Sequence, residues 1–428
     1  MKNSLLVGFV VGAVLLGALA FVFLGTDFTP TTHTGTRALA PAASTSAPAP
    51  PHNWLNYKGS PARTMDWTDE RVKPPFQLKW VFWGEDSGTK VGILAVDGVI
   101  LFPNVGRFGG GNLFGIDAET GKELWRQKIQ GHYLVMMDAG AGLVFFPETP
   151  MRRGRGEEPT PTRGLVAFDV RTGERVWNRS DLAGDPNPLA MGSRVYSTAN
   201  AKRDVLFCVD AKTGETVWER NVGLGQLANA SSDGEVIVVT GTNGTGAVEA
   251  DTGEVLWRSP AKAALHGLYP TMIGNGMVYV PRFGALNLAD GKTVWTSKEK
   301  FRCLGGDKIF GNTFALNALT GELLWRVSRR DIGMAGDICG APFYNAGAIY
   351  FGTGFPADLP WVETFFALDA KDGEVLWRWK SGSVVCTSPI TYDGRLYFGS
   401  ADRGLYCFEP APPGTPANAG SAAKEDRR

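Results

Sequence analysis

Histidine is nearly missing from this chain of 428 residues, which has four: His33, His52, His132 and His266. The first two lie in or beside a low-complexity N-terminal stretch. The others fall in strand-connecting loops and are too few for a histidine-rich zinc site. Cysteine is scarce, with five residues and no two adjacent. Net charge is absent, since 43 basic side chains balance 43 acidic ones, and this excludes a general nucleic-acid-binding surface. No long segment places apolar residues at a period of 3.6, which, with 55 glycines, excludes a helical architecture. Gly109, Gly110 and Gly111 form a glycine-rich stretch, but no Lys-Ser/Thr follows, so it is not a phosphate cradle.

What the chain does contain is one phrase written seven times. It runs small residue, x, acid or amide, x, x, Thr or Asp, Gly, x, x, x, Trp, most clearly from Ala167 through Asp169, Thr172 and Gly173 to Trp177. The copies end at Trp125, Trp177, Trp218, Trp257, Trp295, Trp325 and Trp377, at intervals of 52, 41, 39, 38, 30 and 52 residues. Each reads as strand, tight turn, strand, with the glycine supplying a positive φ and the acid or amide capping the turn. One or two further apolar runs precede each copy, such as Val236 to Thr240 and Ala348 to Phe351. Four short strands per unit of about 40 residues predict a β-propeller. A large flat indole repeated once per unit suits packing between neighbouring sheets, its N–H seeking a carbonyl.

The two ends of the array complement each other. Phe76 to Trp83, with Trp80 in the repeated position, is an outgoing strand without a hairpin partner, and Val384 to Phe408 is three strands without an outgoing one. Pairing them closes the ring and removes two exposed edges. This gives eight four-stranded blades, with seven as the alternative because the 30-residue unit ending at Trp325 could have a stunted inner strand.

These phrases resemble the tryptophan-docking motif of quinoprotein-type propellers. That fold is shared by pyrroloquinoline quinone dehydrogenases and the lipoprotein propeller of the bacterial outer-membrane β-barrel assembly machinery. The resemblance covers roughly residues 76–410. Departures are local: Gly115 and Cys208 stand for the usual Ala, Glu249, Asn287 and Asn317 for Asp, and Asp290 and Asp372 for Thr. Gly59-Ser60-Pro61-Ala62-Arg63-Thr64 is similar to the lead-in that many exported bacterial proteins of this repeat class carry before their first blade.

The resemblance implies two kinds of function, because one scaffold hosts enzymes and binding proteins. The preferred expectation is a non-catalytic binding or scaffolding propeller, without cofactor or metal, engaging a protein or peptide in envelope protein assembly. The alternative is an alcohol dehydrogenase-like oxidoreductase using pyrroloquinoline quinone with calcium. Active members of that class carry a vicinal Cys-Cys disulfide, carboxylate and amide calcium ligands and a catalytic Asp. This chain has no Cys-Cys pair, and Asp337, its best placed axial carboxylate, reads as a turn cap. No catalytic residue is assigned, and a small-molecule substrate is not expected.

Residues 1–24 include an uncharged apolar run, Leu5 to Leu24, long enough for a bilayer and preceded by Lys2. They predict a single-pass anchor with the propeller on the extracytoplasmic, periplasmic side; cleavage and secretion is the alternative. Residues 25–75 are a Pro/Ala/Ser/Thr-rich tether and lead-in, and 411–428 a biased tail expected to be disordered.

Insertions concentrate in Pro103 to Asn112, Pro147 to Arg163 and Thr353 to Glu363, connections that share one face of a propeller. That face supplies the candidate binding residues: Arg152, Arg153, Arg155, Arg163, Arg282 and Arg403 for an anionic or peptide partner, and Phe355 and Trp361 as aromatic anchors. An extended polysaccharide is a further class of ligand for it. Cys208 and Cys407 occupy the small-residue slot as buried thiols, and Cys303 has no evident partner. Cys339 and Cys386, each three residues before a proline in consecutive units, are a candidate axial pair, bridged if their Cα atoms lie within about 7 Å.

Overall fold

The computed structural model describes residues 53–86, 92–106, 110–130, 136–148, 164–182, 188–198, 204–263, 269–311, 313–334, 340–354 and 363–414. Among them no helix is long and apolar enough to cross a membrane. The anchor expected within 1–24 lies outside the described residues.

Eight four-stranded antiparallel sheets form the blades. Their innermost strands are Leu94–Val96, Asp138–Gly140, Leu189–Met191, Leu227–Ser232, Met272–Gly274, Cys303–Gly305, Phe343–Asn345 and Ile390–Tyr392, blades 1 to 8 in that order. The outermost strands of blades 1 to 7 are Glu123–Ile129, Arg175–Arg179, Thr216–Asn221, Val255–Ser259, Thr293–Thr296, Leu323–Arg326 and Val375–Trp379. Phe76–Trp83 supplies that of blade 8, pairing with Gly404–Pro410 and closing the ring. The count is therefore eight. The short unit ending at Trp325 keeps a full inner strand, Cys303–Gly305, of the same three residues as most other blades. It is short mainly because only residues 297–302 join it to blade 5, where residues 260–271 join blade 5 to blade 4.

The repeated phrase builds the contact between blades. The small residue lies directly opposite the tryptophan on the adjacent strand: Gly115 with Trp125, Ala167 with Trp177, Cys208 with Trp218, Cys407 with Trp80. A Cβ on Gly115 would come within 2.2 Å of the Trp125 ring. From there each indole reaches the next blade. Trp125 donates to the Val170 carbonyl at 3.0 Å, Trp177 to Ala211 at 2.9 Å, Trp218 to Ala250 at 3.1 Å and Trp257 to Leu288 at 2.7 Å. Trp295 donates to Ala318 at 3.0 Å and Trp325 to Ala370 at 3.1 Å.

The same indole covers the next blade's turn glycine. Gly121, Gly173, Gly214, Gly253, Gly291, Gly321 and Gly373 all have φ between 69° and 81°, and each lies against the tryptophan of the preceding blade. The glycine thus has two reasons to lack a Cβ, one local and one a blade away.

Two tryptophans depart from the rule where the ring closes. Blade 8 has no such hairpin, so Trp377 packs edge-on between Phe76 and Phe408, at 5.2 and 5.6 Å. Trp80 does cover Gly121, but among the described residues its indole N–H has no acceptor; the Ala118 carbonyl, in the place of those the other indoles reach, accepts from the Tyr397 hydroxyl.

Candidate interaction face and axial hub

Antiparallel succession puts the first-to-second and third-to-fourth strand turns of every blade on one face. The second-to-third links and the connections between blades lie on the other. Residues 53–72 run across the first of these faces and meet the blades in order. Trp54 exchanges backbone hydrogen bonds with Ala95 of blade 1, and in blade 2 Tyr57 N–H donates to Met137 and Ala139 N–H to Leu55. The Asn56 amide reaches the Ala190 carbonyl of blade 3 at 2.8 Å. The carbonyls of Pro61, Ala62, Thr64 and Met65 then accept from Ser232, Ile273, Leu304 and Tyr344, in blades 4 to 7. Asp69 accepts from Gly394 N–H of blade 8 at 3.2 Å. The lead-in segment is therefore a hub that satisfies the inward backbone groups of the innermost strands.

An ion pair fixes the hub at its centre. Arg63 forms a fork with Asp138, at 2.7 and 2.9 Å, both residues being fully buried. Its remaining donors reach the carbonyls of Tyr57, Pro188 and Ala230. Asp138 also accepts from Tyr57 N–H, Ala190 N–H and the Asn56 amide, so both carboxylate oxygens are saturated. Burial pushes the Tyr57 phenol up to about 12, against the pull of nearby Arg302 and Arg63.

Burial also raises the Asp66 carboxyl to about 6, opposed by one N–H from Gly306 at 3.4 Å. Because the folded value exceeds the unfolded one, this group's contribution is complete below about pH 4 and is lost as pH rises through 6. Asp66→Asn should therefore stabilise the protein by about 3 kcal/mol at pH 8 and hardly at all at pH 4 in urea titrations. An equal gain at both pH values would contradict this account.

On the opposite face, Arg282 and Arg403 are exposed and stand two and one residues before the third strands of blades 5 and 8, at φ 69° and 81°. Arg152, Arg153, Arg155, Arg163, Phe355 and Trp361 lie outside the described residues. The links they belong to start from Glu148 in blade 2 and Gly352 in blade 7 and return at Gly164 and Phe365, ends that open on this face. Cys386 is buried and disulfide-bonded, and Cys208, Cys303 and Cys407 are buried free thiols; Cys339 lies outside the described residues.

Asp337 lies outside the described residues, and the donor set that those residues place at the axis does not suit calcium. Among the described residues no group of three metal-ligating side chains converges. The carboxylate at the hub's centre, Asp138, is fully engaged by Arg63, Asn56 and backbone N–H groups, and its counter-ion is the Arg63 guanidinium. A calcium–quinone pair needs anionic oxygens here, so no catalytic step is derived through one.

Three successive stretches, residues 80–207, 201–306 and 310–412, match the family model described as outer membrane protein assembly factor BamB. The chain belongs to that family. A BamB from Burkholderia pseudomallei is 26% identical over 300 residues, 63% of this chain and 74% of the relative. Tetrathionate hydrolase from Acidithiobacillus ferrooxidans is 24% identical, over 79% of this chain and 68% of the enzyme. The crystal structure of BamB from Moraxella catarrhalis superposes with a TM-score of 0.56 at 17% identity, covering 78% of this chain and 98% of that one. That structural likeness carries the fold. BamB-family membership supports a protein-interacting propeller, and the hub and the two faces described above belong to this chain.

The sequence singled out Gly59 to Thr64 as a lead-in without roles for its side chains. Lys58, Arg63, Asp138 and Arg302 escaped notice because their partners lie far apart in the chain: Arg63 and Asp138 are 75 residues distant.

Proposed function

We propose that the protein is a non-catalytic scaffolding propeller on the extracytoplasmic side of the membrane, held there by residues 1–24 and the tether that follows. Its partner is a protein or extended peptide, in the setting of envelope protein assembly that the names of its BamB relatives indicate. The observation that carries this is the asymmetry of the two faces. The lead-in segment runs across the axis on one, and the links bearing the longest insertions open on the other.

The test is capture of partners from detergent-solubilised envelopes by the tagged full chain. A variant with Arg152, Arg153, Arg155 and Trp361 replaced by alanine should recover at least about tenfold less of any specific partner. Unchanged recovery by a variant of unaltered melting temperature would remove the insertion face from the proposal. Recovery of glycan instead of protein would replace the partner class.

A further inference from the structure

The connections at the insertion side of blade 5 gather exposed cations and no free acid. Lys262 lies in the connection 260–271 that enters the blade, Arg282 in the link between its second and third strands, and Lys298 and Lys300 in the connection 297–302 that leaves it. All four residues are exposed. The fold holds these segments side by side. Arg282 N–H donates to the Glu299 carbonyl at 2.9 Å, and Ser297 N–H to that of Phe283 at 2.7 Å. Ala261 and Ala263, on either side of Lys262, pack in the same apolar cluster as Phe283.

Exposed charge here is of one sign. The one acid in these three segments is Glu299, and its carboxylate is taken by Arg326 of blade 6 at 2.7 Å. Among the described residues none of the four cations has an ion-pair partner. Elsewhere on this face arginines are matched: Arg126 with Glu85, Arg179 with Asp181 and Arg378 with Glu363. Four like charges without a counter-ion set up a positive potential over blade 5, which negative charge brought by a partner relieves. A membrane is the less suited source of that charge. Asn53 and Trp54, where the lead-in begins, bond to Asp97 and Ala95 towards the lead-in face, so the chain from residues 1–24 enters on the side away from these cations.

We propose that the insertion side of blade 5 docks an acidic segment of the protein partner, whose carboxylates meet Lys262, Arg282, Lys298 and Lys300. The inference rests on the reading of the insertion face as the partner-binding side, and adds where on that face the partner lands and which charge it carries. Attraction of this kind speeds encounter and weakens with salt.

The test is fluorescence anisotropy of a labelled acidic peptide, Glu-Asp-Ser repeated, with the full chain in neutral detergent at about 50 mM sodium chloride, where screening is weak. The peptide should bind, and its neutral counterpart, Gln-Asn-Ser repeated, should not. Lys298→Glu with Lys300→Glu should weaken binding at least about tenfold. Lys212→Glu with Lys371→Glu makes the same change of net charge in exposed turns of the other face, and should weaken binding less than about threefold. Equal weakening by the two pairs would overturn the proposal, because net charge alone would then explain the attraction. So would failure of the acidic peptide to bind. Displacement of the peptide by phosphatidylglycerol in the micelles, beyond that by sodium chloride at equal ionic strength, would also overturn it by assigning the patch to a lipid surface. The residues replaced in the capture experiment belong to the links of blades 2 and 7, so peptide binding can fail while capture succeeds, and the reverse.

Discussion

Gly173→Ala should cost about 3 kcal/mol of stability, far more than an alanine in a glycine turn usually does. Two terms add. The residue sits at φ 73°, where an L side chain is strained by about 1–2 kcal/mol. Its new Cβ would also stand 2.4 Å from the Trp125 ring, and the indole cannot retreat without giving up its bond to the Val170 carbonyl. Overpacking of that kind costs about 1–3 kcal/mol. Gly276→Ala isolates the first term, because Gly276 has φ 70° and nothing within 4 Å of its would-be Cβ. Urea unfolding followed by tryptophan fluorescence should therefore rank the two, with Gly276→Ala losing only about 1–2 kcal/mol. Equal losses would mean that the glycine serves its turn alone and that the contact between blades is slack.

That pair of glycines marks how far the sequence could be read. The hairpin at Gly173 was legible because everything it needs locally, Asp169, Thr172 and the outgoing strand, lies within the eleven-residue phrase. The indole above it was legible as a packing element and not as the lid of that particular glycine, since Trp125 belongs to the previous blade. Ring closure was legible from complementary ends, yet the consequences for Trp80 and Trp377 were not. That of Trp377 depends on a hairpin that blade 8 does not have, and Trp80 packs beside Tyr397, which reaches Ala118 across 279 positions of sequence. Blade number was ambiguous because the unit ending at Trp325 saves its residues mainly in the connection 297–302 that leads into it, while keeping its inner strand. The face bearing Arg282 and Arg403 followed from strand alternation. The hub could not have followed from it: a short inner strand carries too little pattern to say what its inward backbone groups bond to.

The hub carries the second large effect. Arg63→Met should lower stability by about 3–5 kcal/mol, the loss expected when one member of a buried, hydrogen-bonded ion pair is removed. The variant leaves the Asp138 carboxylate buried without its counter-ion and strips donors from the carbonyls of Tyr57, Pro188 and Ala230. Asp138→Asn should cost a similar amount from the other side, because an amide cannot accept at both positions where Arg63, Asn56, Tyr57 N–H and Ala190 N–H converge. The two losses should not add. With both charges gone no uncompensated ion remains, so the double variant should fall at least about 2 kcal/mol short of the sum. A surface comparison sharpens the reading: Arg194 and Asp210 pair at 3.4 Å while 38% and 31% exposed, and Arg194→Met should cost less than about 1 kcal/mol. Additive losses at Arg63 and Asp138 would show that the residues act separately, and losses as small as that of Arg194→Met would show that the lead-in rests on the ring without holding it. The predicted non-additivity instead makes the hub a single unit whose ion pair ties the lead-in to the innermost strand of blade 2 and, through the Arg63 carbonyl contacts, to blades 3 and 4.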